Sequence, residues 1–174
     1  MSVDVGPSDV LPEITNLEMI FGEVNAWRWA CLHHFSTVEM SITETLLGLS
    51  STPAGAQVRL RHLIGQSFED LSLAIAPDGP FGQIGKAAFA ELSKYREHQE
   101  AFRGLLCHGV LKVTVDPTGQ WMLIKRSLSV RPRQAEHAVT IIERNDAVAR
   151  LASLKNEGQR LASTLGQLRK NVLA

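Results

Sequence analysis

The chain has 174 residues, 44% of them hydrophobic and 21% charged, a balance that gives one globular domain a real core and excludes wholesale disorder. Eighteen basic residues against eighteen acidic ones leave no net charge, which excludes a protein that coats nucleic acid through a uniformly cationic surface, so any RNA contact has to be local. No apolar run approaches the ~20 residues of a membrane span, Cys31 and Cys107 lack metal-ligand spacing and no signal-peptide pattern is visible, so the expectation is a reducing cytoplasm with no membrane, metal or cofactor.

Residues 1–12, with Gly6, Pro7 and Pro12 among small polar residues, read as a flexible N-terminal arm ahead of a single domain over 13–174. From Glu13 to Leu49 apolar residues recur at Leu17, Ile20, Val24, Trp27, Cys31, Phe35, Val38, Ile42, Leu46 and Leu49, the 3-4 spacing of one helix on the order of 50 Å long. The turn-forming cluster Ser50 to Gly55 ends it and predicts an antiparallel helix over Ala56 to Ala76, with Val58, Leu60, Leu63, Ile64, Phe68, Leu71 and Ile75 inward. Pro77-Asp-Gly-Pro80 closes that helix.

A third helix is expected from Gln83 to His108 with Ile84, Ala88, Leu92, Tyr95, Phe102 and Leu106 inward and Gln99 interrupting the stripe. Val110 to Val115 and Gln120 to Arg126 alternate around Asp116-Pro-Thr-Gly119, which predicts a β-hairpin, with Trp121 covering a bundle end. After Ser127 to Arg133, a last helix is expected from Gln134 to Leu168 through Ala138, Ile141, Val148, Leu151, Leu154, Leu161, Leu165 and Leu168. The fold class that follows is all-α, an up-down bundle of about four helices with one small hairpin before the last. Helices of such unequal length leave apolar turns uncovered in a monomer, so a homodimer is expected.

The chemistry concentrates at the end of the third helix, where Arg103 stands five positions before His108 and Gly109 can stop the helix. On a helix these residues lie roughly 140° and about 7.5 Å apart, so one copy makes a poor site, whereas two copies across a two-fold axis gather two arginines and two histidines. Arg28 and His33 have the same spacing, and Arg131 and His137 a similar one, but with twelve arginines and six histidines such pairs arise by chance. Position discriminates: Arg28 and His33 fall inside a long apolar pattern, and Arg131 precedes Pro132.

Arg-x4-His at the end of a late helix, Gly directly after the His, a hairpin and a long terminal helix together resemble HEPN-domain proteins, with the specific part running from Phe102 to Gly109. The resemblance implies a dimeric helical bundle and a metal-independent ribonuclease with Arg103 and His108 as catalytic residues, acting as the toxin half of a toxin–antitoxin pair. It equally admits a non-catalytic dimer that binds a nucleotide or a protein partner. Gly104 departs from the family pattern, in which a polar residue such as Asn commonly follows the Arg.

In chemical terms, the Arg103 fork matches two phosphate oxygens, and His108, with an ordinary pKa of about 6.5, can move a proton to or from a ribose oxygen. Arg96, seven residues earlier on nearly the same face, extends a phosphate-binding track. The bland alternatives are a solvated stripe of Arg96, Glu100 and Arg103, and a His108 that caps the helix. Tyr95 reads as core, and Glu39 as a carboxylate able to orient Arg103 from the first helix, though it is not assigned to the site. His33-His34 reads as structural, since neighbouring positions diverge by about 100° with no further ligand at i+4.

Overall fold

The computed structural model describes residues 11–61, 63–107, 110–131 and 134–173. Its elements are α1 (Leu11–Ser50), a single 3-10 turn at Pro53–Gly55, α2 (Ile64–Ile75), α3 (Gly82–Cys107), β1 (Val110–Val115), β2 (Trp121–Arg131), β3 (Gln134–Glu143) and α4 (Arg144–Leu173). The chain is mostly helical, with a small three-stranded antiparallel sheet before the last helix. Residues 1–10 of the expected arm lie outside the described residues, and α1 already includes Leu11 and Pro12, a first-turn position where the missing proline N–H costs nothing. Among the described residues no helix is long and apolar enough to cross a membrane.

The chain divides into two compact units, one of residues 1–30 and 108–149, the other of residues 31–107 and 150–174. In the first, β2 pairs antiparallel with both β1 and β3, in registers that set Val115 opposite Trp121 and Met122 opposite Glu143. The Asp116 carboxylate accepts hydrogen bonds from the Thr118 and Gln120 N–H groups at 2.8 and 2.9 Å, and Gly119 turns the chain at φ 82°, a value that costs an ordinary side chain energy. Trp121 is buried against Trp27, their ring centroids 6.0 Å apart, and Trp27 Nε1 donates to the Ala147 carbonyl at 2.7 Å.

β3 corrects the expectation of a single hairpin followed by a helix from Gln134. Val139-Thr-Ile-Ile142 is an unbroken β-branched run, which loses side-chain freedom in a helix and fits a pleated strand. The inward set changes accordingly: Ile142 and Ala147 are buried, whereas Ile141 and Val148, expected inside, are exposed.

In the second unit α3 runs opposite to its neighbours. Tyr95 stacks on Phe68 (6.1 Å, 7° between planes) and Gly85 packs on Ile75, so α3 descends as α2 rises. Along α4, Glu157 meets His98 and Gln99 while Arg160 meets Glu91, again antiparallel. On α1, Val38 abuts Gly158 and Ser41 and Thr45 hold Arg169, so α1 and α4 run parallel. A Cβ at Gly158 would come within 3.0 Å of Val38, which is why a residue without one sits at this crossing.

The expected antiparallel helix over Ala56 to Ala76 is therefore corrected in extent and direction: α2 covers Ile64–Ile75 and runs alongside α1. Residues 58–61 are non-helical and Arg61 anchors them, its Nε donating to both Asp70 carboxylate oxygens at 2.9 Å. Because Asp70 has no exposed side-chain surface, its charge requires that partner, and the bond holds Arg61 out of the helix. Phe68, Leu71 and Ile75 are buried as expected, but Leu60 and Leu63 are exposed.

Candidate functional site

α3 places the site because Tyr95, Gln99 and Arg103 recur at i, i+4 and i+8 and so share a stripe. Arg96, seven residues or about two turns before Arg103, lies on nearly the same face as it, and Arg96, Gln99, Glu100 and Arg103 line one cleft with Tyr95 and the rings of Phe35 and Phe68. The cleft measures about 30 Å³, room for one or two water-sized groups and far below the several hundred cubic ångströms of a nucleotide pocket.

Arg103 does not join a solvated Arg96–Glu100–Arg103 stripe. Its Nε donates to Glu39 Oε1 of α1 at 2.6 Å, with about a quarter to a third of each side chain exposed, so the carboxylate fixes the plane of the guanidinium. Arg96 takes Glu100 as its ion-pair partner through its buried Nε, 3.5 Å from Oε2, without the geometry of a hydrogen bond. Glu39 thus belongs to the site from which residue pattern alone had left it out. The signal was weak, because nothing local marks one Glu as facing a residue sixty-four positions later.

Beneath this face a polar cluster ties α3 to α4. Buried Gln99 donates from Nε2 to Glu157 Oε2 at 2.9 Å, and His98 Nδ1 lies 2.9 Å from Oε1. Burial alone would raise the Glu157 pKa, but the hydrogen bonds from Gln99 and His98, with the charges of His98 and Lys94, outweigh it and hold the carboxyl below the ordinary glutamate range. Gln99 interrupts the apolar stripe because its amide has this buried partner. At the last turns, Phe102 is buried against Phe35, and Arg150 of α4 lies over its ring at 5.4 Å.

The chain matches no protein-family model, no curated protein and no solved structure. None of these comparisons bears on the HEPN resemblance, whose specific part is Phe102 to Gly109. Of the expected site, Arg103 and Arg96 are brought to one cleft, while His108 and Gly109 lie outside the described residues. Among the described residues, a Cβ built on Gly104 meets nothing within 4 Å.

Of the two look-alike pairs, His33 is exposed with its ring edge against His34, and Arg28 is half-buried with an unpaired Nε. His137 sits in β3 opposite Leu128, not in a helix. Among the described residues no group of three His, Cys, Asp or Glu side chains is arranged to hold a metal. Cys31 is buried, which pushes its thiol up to about 12 and keeps it unreactive, and Cys107 is a free, exposed thiol.

Proposed function

We propose that the chain is a HEPN-like, metal-independent endoribonuclease of the cytoplasm that cleaves RNA by internal transphosphorylation in a homodimer, as the toxin half of a toxin–antitoxin pair. The observation that carries this reading is Arg103 held by Glu39 at 2.6 Å beside Arg96, an arrangement that presents a pre-oriented guanidinium to a phosphate. Arg103 anchors the phosphate and steadies its developing charge, Arg96 extends the track, and His108 transfers the proton. The cleft in one chain is too small for a nucleotide, so the reading requires RNA to lie across the surface between two copies.

RNA cleavage that survives excess chelator and is lost in both Arg103→Ala and His108→Ala supports it. Activity untouched by either substitution refutes it, and DNA stays intact because it lacks the attacking 2′-hydroxyl. Sedimentation tests the dimer: a stable monomer at micromolar concentration removes the composite site.

A second reading, a non-catalytic helical dimer that binds a nucleotide or protein partner, draws on a different observation. Met40, Leu47, Leu60 and Leu63 are each about half exposed or more, and all but Leu63 line a groove of about 600 Å³ between α1 and the segment before α2. Absence of cleavage together with burial of these residues in an oligomer favours that reading.

A further inference from the structure

Within the second unit, α1 carries another seam on the side away from the core. Leu32, Ser36, Met40, Thr43 and Leu47 follow one another at spacings of four, four, three and four, which keeps them on one face, while Phe35, Val38, Ile42, Leu46 and Leu49 hold the buried face. All five are exposed, the large ones Leu32, Met40 and Leu47 by 39, 62 and 53%. Ser36 and Met40 form a ridge between two grooves. One, of about 600 Å³, has Leu60 and Ile64 on its far wall, and the other, of about 420 Å³, opens toward Ala162 of α4. A ridge flanked by grooves is a surface with which another helix can interlock.

The order of residues along the seam points to one occupant. From either end it runs leucine, small hydroxyl residue, methionine, small hydroxyl residue, leucine, with the same spacing of four from Leu32 to Ser36 as from Thr43 to Leu47. A two-fold interface between identical chains has to be self-complementary, and a seam that reads alike in both directions meets that condition when the helices run antiparallel. Leu32 of one copy then faces Leu47 of the other, Ser36 faces Thr43, and the axis passes between Glu39 and Met40.

Charge selects the same direction. His33 and Glu44 flank the seam on one side, both lining the groove toward α4. In the antiparallel register His33 of one copy stands about 3 Å along the helix from Glu44 of the other. Glu44 lies 3.3 Å from Arg169 but keeps 53% of its side chain exposed, so it can accept from a second donor. A parallel pairing would set Glu44 beside Glu44.

We propose that two copies of the chain associate through this seam, α1 against α1 and antiparallel, with Leu32, Met40 and Leu47 as the apolar contacts. This contact rests on the homodimer that both functional readings require and gives it an interface. Glu39 holds Arg103 and stands beside the axis, so the Glu39–Arg103 pairs of the two copies come together on one side of the contact. The second copy thereby completes a site that the small cleft of one chain cannot form.

The test uses the full-length chain with Cys107→Ser, which removes the exposed thiol and leaves Cys31 buried. Leu32→Cys and Leu47→Cys are made singly and treated with a short bismaleimide. Neither should cross-link alone, because the two copies of each position lie about 22 Å apart along the helices, but the two variants produced together in one cell should cross-link to each other. In sedimentation equilibrium, Met40→Glu should weaken the dimer about a hundredfold, since it sets like charges at the axis. Self-cross-linking of either cysteine variant means a parallel or different contact and overturns the proposal. A dimer that Met40→Glu leaves intact also overturns it, as does a stable monomer at micromolar concentration, whose seam then receives a different protein. Should Met40→Glu lower the melting temperature, the cross-link between the two cysteine variants decides alone. A seam dimer that cuts no RNA leaves this interface standing and removes the ribonuclease. Arg103-dependent cleavage by a dimer indifferent to Met40→Glu does the reverse.

Discussion

Replacing Glu157 by Leu removes the acceptor that Gln99 uses at 2.9 Å. Gln99 is 4% exposed and keeps only its longer hydrogen bond to Ser153 Oγ at 3.4 Å, so its amide is left buried and poorly satisfied. That costs about 2 kcal/mol, and the lost contact to His98, whose side chain is 44% exposed, adds little because water screens it. Gln99→Leu should cost a similar amount, by leaving a carboxylate that is only 11% exposed with poorer partners. The double variant makes the whole contact apolar, and there the cost should fall to about 1 kcal/mol or less, a coupling of roughly 2–3 kcal/mol.

Urea unfolding measures these differences, and each single substitution should lower the melting temperature by about 4–8 °C. The sign with pH follows from the direction of the shift. A carboxyl whose folded pKa lies below its ordinary value of 4.5 contributes stability that is fully present above that value and is lost as the pH falls through the folded pKa. The gap between wild type and Glu157→Leu should therefore be full at neutral pH and narrow in acid. Additivity of the two single costs to within about 0.5 kcal/mol, or a gap that widens in acid, would refute the reasoning.

Arg61→Met should destabilise the protein by about 3 kcal/mol in the same assay, because it strands the fully buried Asp70 charge, and adding Asp70→Leu should recover much of the loss. Arg28→Met keeps the buried stem and removes an unpaired donor, so its melting temperature should equal or exceed that of wild type, while the exposed His33→Ala should change stability by less than about 0.5 kcal/mol. Gly104→Ala should stabilise by roughly 0.5–1 kcal/mol in thermal unfolding, since the added methyl meets nothing within 4 Å among the described residues and alanine favours the helix.

The buried face of α1 was legible because one period holds from Ile20 to Leu49, and all nine of those apolar positions are buried. Leu17, a turn earlier on the same pattern, is exposed, because periodicity names a face without saying how far the neighbour covering it extends. α2 was misjudged because the apolar spacing of Val58, Leu60 and Leu63 imitates a helix, while the feature that prevents one is a bond from Arg61 to Asp70 nine residues on. β3 was legible in the run of four β-branched residues, but Ala138, Ile141 and Val148 also fit a helical stripe, and that period was the wrong one to follow. At the candidate site Arg103 and Arg96 were visible from their spacing on one helix. The partners Glu39 and Glu157 lie on other helices, where sequence separation hides contact.

The way the two units divide the chain bears on its synthesis. Each is built from two separate stretches of sequence, and each closes through a bond between residues more than a hundred positions apart: Trp27 to Ala147 in one, Ser41 to Arg169 in the other. Neither can be completed from the first half of the chain. While the polypeptide emerges from the ribosome, the apolar face of α1 has no α4 to cover it until residues 144–173 appear. The newborn α1 is therefore exposed to aggregation while residues 51–143 are being made, and a chaperone that shields a long apolar helix during that interval would raise the yield.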